Sequence, residues 1–301
     1  MRSNAPVDWS SLIIAVVGGD EREQEIARLA AGAGAEVRAF GFPFPDEKVP
    51  GLTRYEVAAP AMKGAGYALF PIPGIGADGS LYAPGYPGIV PDAALLRELA
   101  EGAHIILGRA DEQLKVAAGA SGVTLHEYEA DTELMLLRAP AIVEGALQKA
   151  IENTRVTIHA ATVAVVGQGN IGSLLTKTLT LLGAQVHAAA RNPVQRAAAY
   201  ASGAAPLPLE ELPAVAPRLD MLFSTVPAPV VGRDLLTQLP DGCMVMDLAA
   251  PPGGVDFAAA EELGLTAIWA RGLGRRAPIT VGRSQWTGIK RLIEAIERER
   301  R

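Results

Sequence analysis

The run Val163-Ala164-Val165-Val166-Gly167-Gln168-Gly169-Asn170-Ile171-Gly172 constrains the fold of this chain more than any other feature. An apolar strand ends in G-x-G-x-x-G, and a helical pattern over residues 171–182 follows at once and stops at Gly183. Each glycine meets a separate steric need. Gly167 allows the tight strand-to-helix turn, Gly169 lets a pyrophosphate reach bare backbone, and Gly172 lets helix and strand pack closely. The helix N-terminus adds free N–H groups and a partial positive charge. A glycine-rich turn in some other α/β domain is the alternative, but the required context stands on both sides. The expectation is therefore a dinucleotide site built on Gly167, Gly169, Asn170, Ile171 and Gly172.

The next β run, residues 185–190, leads into Arg191-Asn192-Pro193 with no acid at its end. An NAD-preferring site places Asp or Glu there to accept hydrogen bonds from the ribose hydroxyls, whereas a guanidinium suits a 2′-phosphate. Arg191, with Asn192 beside it, thus favours NADP (NADPH) as cofactor; an ordinary solvated arginine is the other reading.

A chain of 301 residues, 49% hydrophobic and 20% charged, has the length and apolar content for two domains with substantial cores. A formal charge of −6 argues against nucleic acid as the main partner. The single cysteine, Cys243, excludes a disulfide within the chain and falls in an apolar run that reads as a buried strand. Residues 1–11 lack the pattern of a signal peptide, and no apolar run is long enough to cross a bilayer, so a cytoplasmic protein is expected.

Strand-like and helix-like runs alternate throughout, the signature of parallel α/β sheets. The first half reads as strands at residues 12–17, 36–40, 67–70, 104–107 and 123–125, with helices at 21–31, 92–101 and 111–120. A Pro- and Gly-rich stretch, residues 71–91, is too long for a simple connector and reads as a functional or interface loop. The second half repeats the alternation, with strands at 162–166, 185–190, 221–225, 243–248 and 266–269. Apolar spacing at Leu134, Leu137, Ile142, Ala146 and Ile151 predicts a long crossing helix. The fold class expected is α/β: two doubly wound parallel-sheet domains joined by that helix. The first is flavodoxin- or Rossmann-like and the second a Rossmann domain that binds NAD(P). The divisions are residues 1–131, a linking helix at 132–156, the cofactor domain at 157–281, and a closing helix at 282–301 that packs back on the first domain. A cleft between the two domains is the expected site.

A second glycine pair, Gly18-Gly19, is followed by Asp20, whose carboxylate occupies the place a phosphate would take. Helix capping is the better reading there. The first domain then holds substrate and no cofactor of its own, with Gly19, Pro73 and Gly74 as candidate substrate contacts. At the strand ends of the second half, Thr225-Val226-Pro227, Asp247-Leu248-Ala249 and Gly272-Leu273 are candidate cofactor contacts. Arg271, Arg275 and Arg276 form a cluster of fixed charge suited to a carboxylate or dicarboxylate; for the last two a solvated surface loop is the equal alternative. Glu144, on the crossing helix, is a candidate acid or base, or simply an exposed helix acid. His104, His159 and His187 read as structural, and only His126 falls near a strand's carboxyl end. The loop after Trp269 has arginines and no histidine, which argues against simple alcohol or hydroxy-acid oxidation.

In order along the chain, Ile14 to Asp20, Pro71-Ile72-Pro73-Gly74, Val143-Glu144-Gly145, Thr157-Ile158-His159, the Gly167–Gly172 fingerprint, Ser224 to Pro227, Asp247-Leu248-Ala249 with Pro252-Gly253-Gly254-Val255-Asp256-Phe257, and Gly272-Leu273 before Pro278 resemble the family of bacterial dipicolinate synthase A subunits over nearly the whole length. The resemblance implies NADP-linked oxidation of dihydrodipicolinate to dipicolinate during sporulation, in the mother cell. It also implies a smaller, flavoprotein-like B subunit of dipicolinate synthase for partner, and arginines that hold the two carboxylates. A homodimer is possible as well, being the commonest oligomer. Other readings on the same architecture are a dehydrogenase of an amino or hydroxy acid, or a protein that supplies NADPH to a flavoprotein without turnover of its own. The chain has Ala250-Pro251 where the family pattern has Ser-Arg, and Ile279 where it has Lys; Arg271 or Arg275 is then expected to replace the missing charge.

Overall fold

Two sets of six short apolar strands form two sheets with the same strand order. In the computed structural model, which describes residues 6–44, 48–86 and 88–300, the chain divides into two units. One is Met1–Arg138 with Ala277–Arg301, and the other is Ala139–Arg276. The first contains β1 (Ile13–Val17), α1 (Glu21–Gly32), β2 (Glu36–Phe40), β3 (Leu52–Arg54), α2 (Ala58–Met62), β4 (Tyr67–Leu69), α3 (Ala93–Leu96), β5 (His104–Leu107), α4 (Glu112–Ser121), β6 (Thr124–Glu127) and the start of α5 (Thr132–Asn153). The second contains the rest of α5, then β7 (Thr162–Val166), α6 (Asn170–Leu181), β8 (Gln185–Ala189), α7 (Pro193–Ala201), β9 (Ala205–Leu207), α8 (Leu212–Val215), β10 (Met221–Ser224), α9 (Arg233–Leu236), β11 (Met244–Asp247), α10 (Phe257–Glu262) and β12 (Thr266–Trp269). The closing helix, α11 (Pro278–Glu299), belongs to the first unit.

The orders are β3-β2-β1-β4-β5-β6 and β12-β11-β10-β7-β8-β9, with every pairing parallel. The expected α/β class, two doubly wound parallel sheets with a long helix running from one to the other, is what the chain forms. Each order reverses once, between β1 and β4 and between β7 and β10, and ligands bind such sheets beyond the carboxyl ends at that reversal. The central strands are continuous apolar runs because helices cover both faces. On β7, Val163 and Val165 join Leu175, Leu179 and Phe223 in one cluster, while Ala164 and Val166 join Leu222, Leu236 and Val245 in another. Cys243 lies in the second cluster, and burial pushes its thiol up to about 12.

Three local differences from the sequence expectations have physical causes. The strands β3 and β9 go beyond the expected set: each is a three-residue sheet edge with exposed positions, too short to show a period. The helix expected at 92–101 is only α3, because tight turns from Glu98 to Leu95 and from Leu99 to Leu96 close it early. Residues 71–91 form no helix or strand among the described residues. They are nonetheless ordered by a bridge between Ile75 and Leu81, a Leu81 N–H bond to Ile89 O of 2.8 Å, and burial of Leu81, Ala83 and Ile89. Among the described residues no helix is long and apolar enough to cross a membrane.

Helix α11 packs along α1. Gly282 permits the approach, since a Cβ there would lie 2.8 Å from Arg22 O, and Trp286 meets Trp9 at 5.5 Å between ring centroids. At the start of α1, Asp20 and Glu23 form a reciprocal capping box, as the sequence suggests for Asp20. Glu23 accepts from Asp20 N (2.8 Å) and from Ile72 N (2.7 Å), so it also fixes the segment after β4. Burial, with the nearby charge of Asp20, pushes the Glu23 carboxyl up to about 7 against the pull of Arg22 and the two N–H donors. The folded state therefore retains a proton that the unfolded chain releases, and this contribution to stability is lost as pH rises from about 4.5 to about 7. Wild type is expected to lose unfolding free energy relative to Glu23→Gln across that window in denaturant titrations. A difference that stays constant with pH would rule the shifted carboxyl out.

Candidate active site

The three glycines after β7 occupy three different steric environments. Gly167 has φ 93°, and a Cβ on it would lie 2.5 Å from Thr225 Oγ1 and 2.7 Å from Val226 Cγ2. At Gly172 a Cβ would lie 2.0 Å from Gly167 O, so α6 sits directly on the end of β7. Gly169 faces open space, with nothing within 4 Å of the position a Cβ would take. It is the N-cap of the 12-residue α6 and supplies no side-chain cap, which leaves the first-turn N–H groups of Asn170, Ile171 and Gly172 for an external anion. A bare-backbone cradle at an uncapped helix N-terminus fits the pyrophosphate of a dinucleotide. Gln168 turns inward instead, donating to Thr176 Oγ1 at 2.8 Å.

The neighbouring loops are tied to this turn. Thr225 Oγ1 donates to Val166 O (3.1 Å) and Gly167 O (3.3 Å), which places Thr225, Val226 and Pro227 beside the fingerprint. Asp247 is fully buried and accepts from Ala249 N (2.9 Å), Gly254 N (2.6 Å) and Val255 N (3.2 Å). Its carboxylate shapes the loop that carries Leu248 and Ala249. Leu248 N donates to Ser224 O (2.8 Å), and Trp269 Nε1 to Ala249 O (3.0 Å), closing that loop from both sides.

After β8, Arg191 is exposed, and among the described residues no carboxylate pairs with it. Asn192 caps α7 by accepting from Val194 N at 2.8 Å. Arg196, which sequence reasoning misses, donates to Ala190 O (2.8 Å) and Arg191 O (2.7 Å), bringing a second guanidinium to the same loop. Its signal is a basic residue in the first turn of the following helix.

The loop after β12 rests on α5. A Cβ at Gly145 would lie 2.9 Å from Leu273 Cβ, so the Glu144-Gly145 pair leaves room for Gly272-Leu273. Glu144 forms an ion pair with Arg276 across that contact. Arg271 is exposed, with its guanidinium 5.6 Å from the Trp269 ring centroid, and Arg275 folds toward Gly272.

In the first unit, Gly19 has φ 118°, and a Cβ there would lie 2.4 Å from the Glu23 carboxylate. Gly74 has φ 74°, and a Cβ would lie 2.2 Å from Arg109 O, so the segments after β4 and β5 touch backbone to backbone, with Pro73 exposed beside them. Arg22 pairs with Asp20 through two bonds of 2.8 Å, closing the α1 N-terminus to phosphate. His126 bonds to His104 at 2.9 Å, and burial lowers both imidazoles.

Comparison with known proteins matches the two halves of the chain to two different domain families. Residues 13–129 match the N-terminal domain of the dipicolinate synthase A subunit, and residues 140–249 match the NAD binding domain of D-isomer specific 2-hydroxyacid dehydrogenases. The chain is 29% identical over 294 residues to the dipicolinate synthase A subunit of Bacillus subtilis (strain 168), covering 96% of this chain and 98% of that protein. The crystal structure of the Bacillus halodurans A subunit superposes with a TM-score of 0.87 at 27% identity, covering 95% and 99% of the two chains. That of the Bacillus subtilis protein gives 0.86 at 27%, covering 99% and 100%. With a second unit of the NAD(P)-binding dehydrogenase type and a first unit that matches the N-terminal domain of the A subunit, the chain is similar over nearly its full length to dipicolinate synthase A subunits.

Proposed function

We propose that this chain performs the NADP-linked oxidation of dihydrodipicolinate to dipicolinate, partnered by a smaller, flavoprotein-like B subunit. The observation that carries the reading is the uncapped α6 N-terminus at Gly169, in a chain matched over nearly its full length by dipicolinate synthase A subunits. Bound there, the dinucleotide supplies a nicotinamide ring that accepts a hydride. Gly167, Gly169 and the N–H groups of Asn170, Ile171 and Gly172 hold the pyrophosphate. Thr225, Val226, Pro227, Leu248, Ala249, Gly272 and Leu273 border the dinucleotide, and Asp247 acts on it through the backbone it organises. Loss of a hydride and a proton from the dihydropyridine ring leaves an aromatic pyridine, so the step needs no strong base. Glu144 fits the role of anchoring the loop through Arg276 rather than proton transfer.

Arg191 takes the 2′-phosphate, in a loop held by Arg196 and lacking an acid. Arg191→Ala is expected to weaken NADPH binding about tenfold while leaving NADH binding nearly unchanged, a loss of the size of one charge-assisted contact. An equal loss for both cofactors, measured by fluorescence titration, would remove the NADP assignment.

Arg271 is the side chain assigned to a substrate carboxylate, in place of the polar groups absent at Ala250, Pro251 and Ile279. Arg271→Ala should raise KM for substrate about tenfold without altering the NADPH Kd; an unchanged KM transfers that role to another residue.

The activity itself is tested by following dipicolinate absorbance and NADPH together, after mixing the purified chain with NADP and freshly generated dihydrodipicolinate, with and without the B subunit. Product from the chain alone is the expected result, and product only when the B subunit is present makes this chain half of an obligate pair. Absence of product in both mixtures, despite NADPH binding, overturns the proposed substrate.

A further inference from the structure

Among the described residues, two buried donors of the first unit have no acceptor. Tyr128 follows β6, where its N–H extends the ladder to Leu107 O at 3.1 Å, and the residue is only 7% exposed. Its hydroxyl is buried without a hydrogen-bond partner. Arg138 stands on α5 as the last residue of the unit's first segment. Its Nε is likewise buried and unpartnered among the described residues, and Nη2 donates to the thioether of Met135. Among the described residues no carboxylate forms an ion pair with Arg138.

The two groups feel each other's charge; Arg138 also feels the Glu129 carboxylate, which raises its basicity, and Arg22, which lowers it, while Tyr128 feels Glu23 before either arginine. Arg22 differs from Arg138 in being neutralised by the bidentate contact with Asp20. Burial lowers the basicity of Arg138 and raises the Tyr128 hydroxyl well above its ordinary range, so the phenol remains a donor at neutral pH. Folded proteins pair nearly all their buried polar groups, and a charged guanidinium whose Nε is buried without an acceptor is costly to hold. A ligand that brings acceptor oxygens would complete such an arrangement. A cationic fork beside a neutral hydroxyl donor complements a planar pair of anionic oxygens. Arg138 as a whole remains partly exposed, which keeps it within reach of a ligand from solvent.

We propose that Arg138 and Tyr128 form a carboxylate-binding site in the first unit, and that its ligand is a dicarboxylate of the substrate's class. The assignment to substrate rests on the proposed activity; the existence of the carboxylate site does not.

Calorimetric titration of wild type, Arg138→Gln, Arg138→Lys and Tyr128→Phe with dipicolinate, picolinate, glutarate, inorganic phosphate and NADPH tests the site and its ligand together. Arg138→Gln should weaken dipicolinate at least tenfold and Tyr128→Phe about threefold, with NADPH affinity unchanged and Arg138→Lys recovering some of the loss. Tyr128→Phe removes a hydroxyl that bonds nothing in the free chain, so its melting temperature should equal or exceed that of wild type, which separates ligand binding from a structural role. Wild-type affinity for dipicolinate in both Arg138→Gln and Tyr128→Phe would overturn the site, and turnover with unchanged KM in them would leave the activity standing without it. If wild type neither binds nor forms dipicolinate, yet glutarate binds wild type and not Arg138→Gln, the site stands and the activity falls. Should no carboxylate bind wild type more tightly than phosphate does, the site falls.

Discussion

The contact between Gly172 and the carbonyl of Gly167 is the constraint on which the cofactor unit depends. With a methyl group at residue 172 placed 2.0 Å from that oxygen, α6 would have to move off the end of β7. The same displacement would carry its first-turn N–H groups away from the open space beside Gly169, and it would strain Thr225, whose hydroxyl donates to Val166 and Gly167. Helix position, phosphate cradle and the adjoining loop are thus one packing problem. Asp247 has the corresponding role two strands further out, where a single buried carboxylate gathers three backbone N–H groups and fixes the loop that follows β11. Interiors pack too tightly for either arrangement to shift without its neighbours.

Two sheets with the same strand order end in opposite electrostatics. After β7 the chain offers Gly169, which has no side chain, and leaves the positive end of α6 to an outside anion. After β1 the equivalent turn offers Gly18, Gly19 and then Asp20, and the capping box satisfies the N-terminus of α1 from within. The dipoles of the two helices point the same way in their respective sheets, so the difference lies in who supplies the negative charge. In the first unit the protein supplies it, and adds Arg22 to balance it. The architecture alone therefore assigns no cofactor to that unit, while its matching topology still gathers the loops after β1, β4 and β5 at the carboxyl edge of its sheet.

Much of this is legible in the sequence, and the exceptions share a cause. Buried central strands read directly as Val-, Ile- and Ala-rich runs, and the fingerprint marks where the cofactor unit's sheet begins. The Asp20 cap is legible because its partner lies three residues away in the same turn. The edge strands Leu52–Arg54 and Ala205–Leu207 are not, since their pairing is decided by neighbours far along the chain rather than by their own pattern. The environment of Asp247 is hidden for a related reason: its acceptor role depends on a loop that returns seven and eight residues later. The pairing of Glu144 with Arg276 spans 132 residues, and no local spacing reports it.

Burial orders the arginines in a way that composition cannot. Arg191 and Arg271 are exposed, and water already screens their charge, so their presence costs the fold little and by itself says little about ligands. Arg22 is buried but paired, which makes it a member of the fold's own charge balance. Arg138 is the case that internal pairing does not resolve, because its Nε is out of water and, among the described residues, neither a carboxylate nor a carbonyl receives it. A sequence reading weights arginines by nearness to a motif and so looks first to Arg271 and Arg275. The structure weights them by what each lacks, and on that measure the missing partner is greatest in the first unit, the one whose α1 N-terminus is capped from within and which matches the N-terminal domain of dipicolinate synthase A subunits.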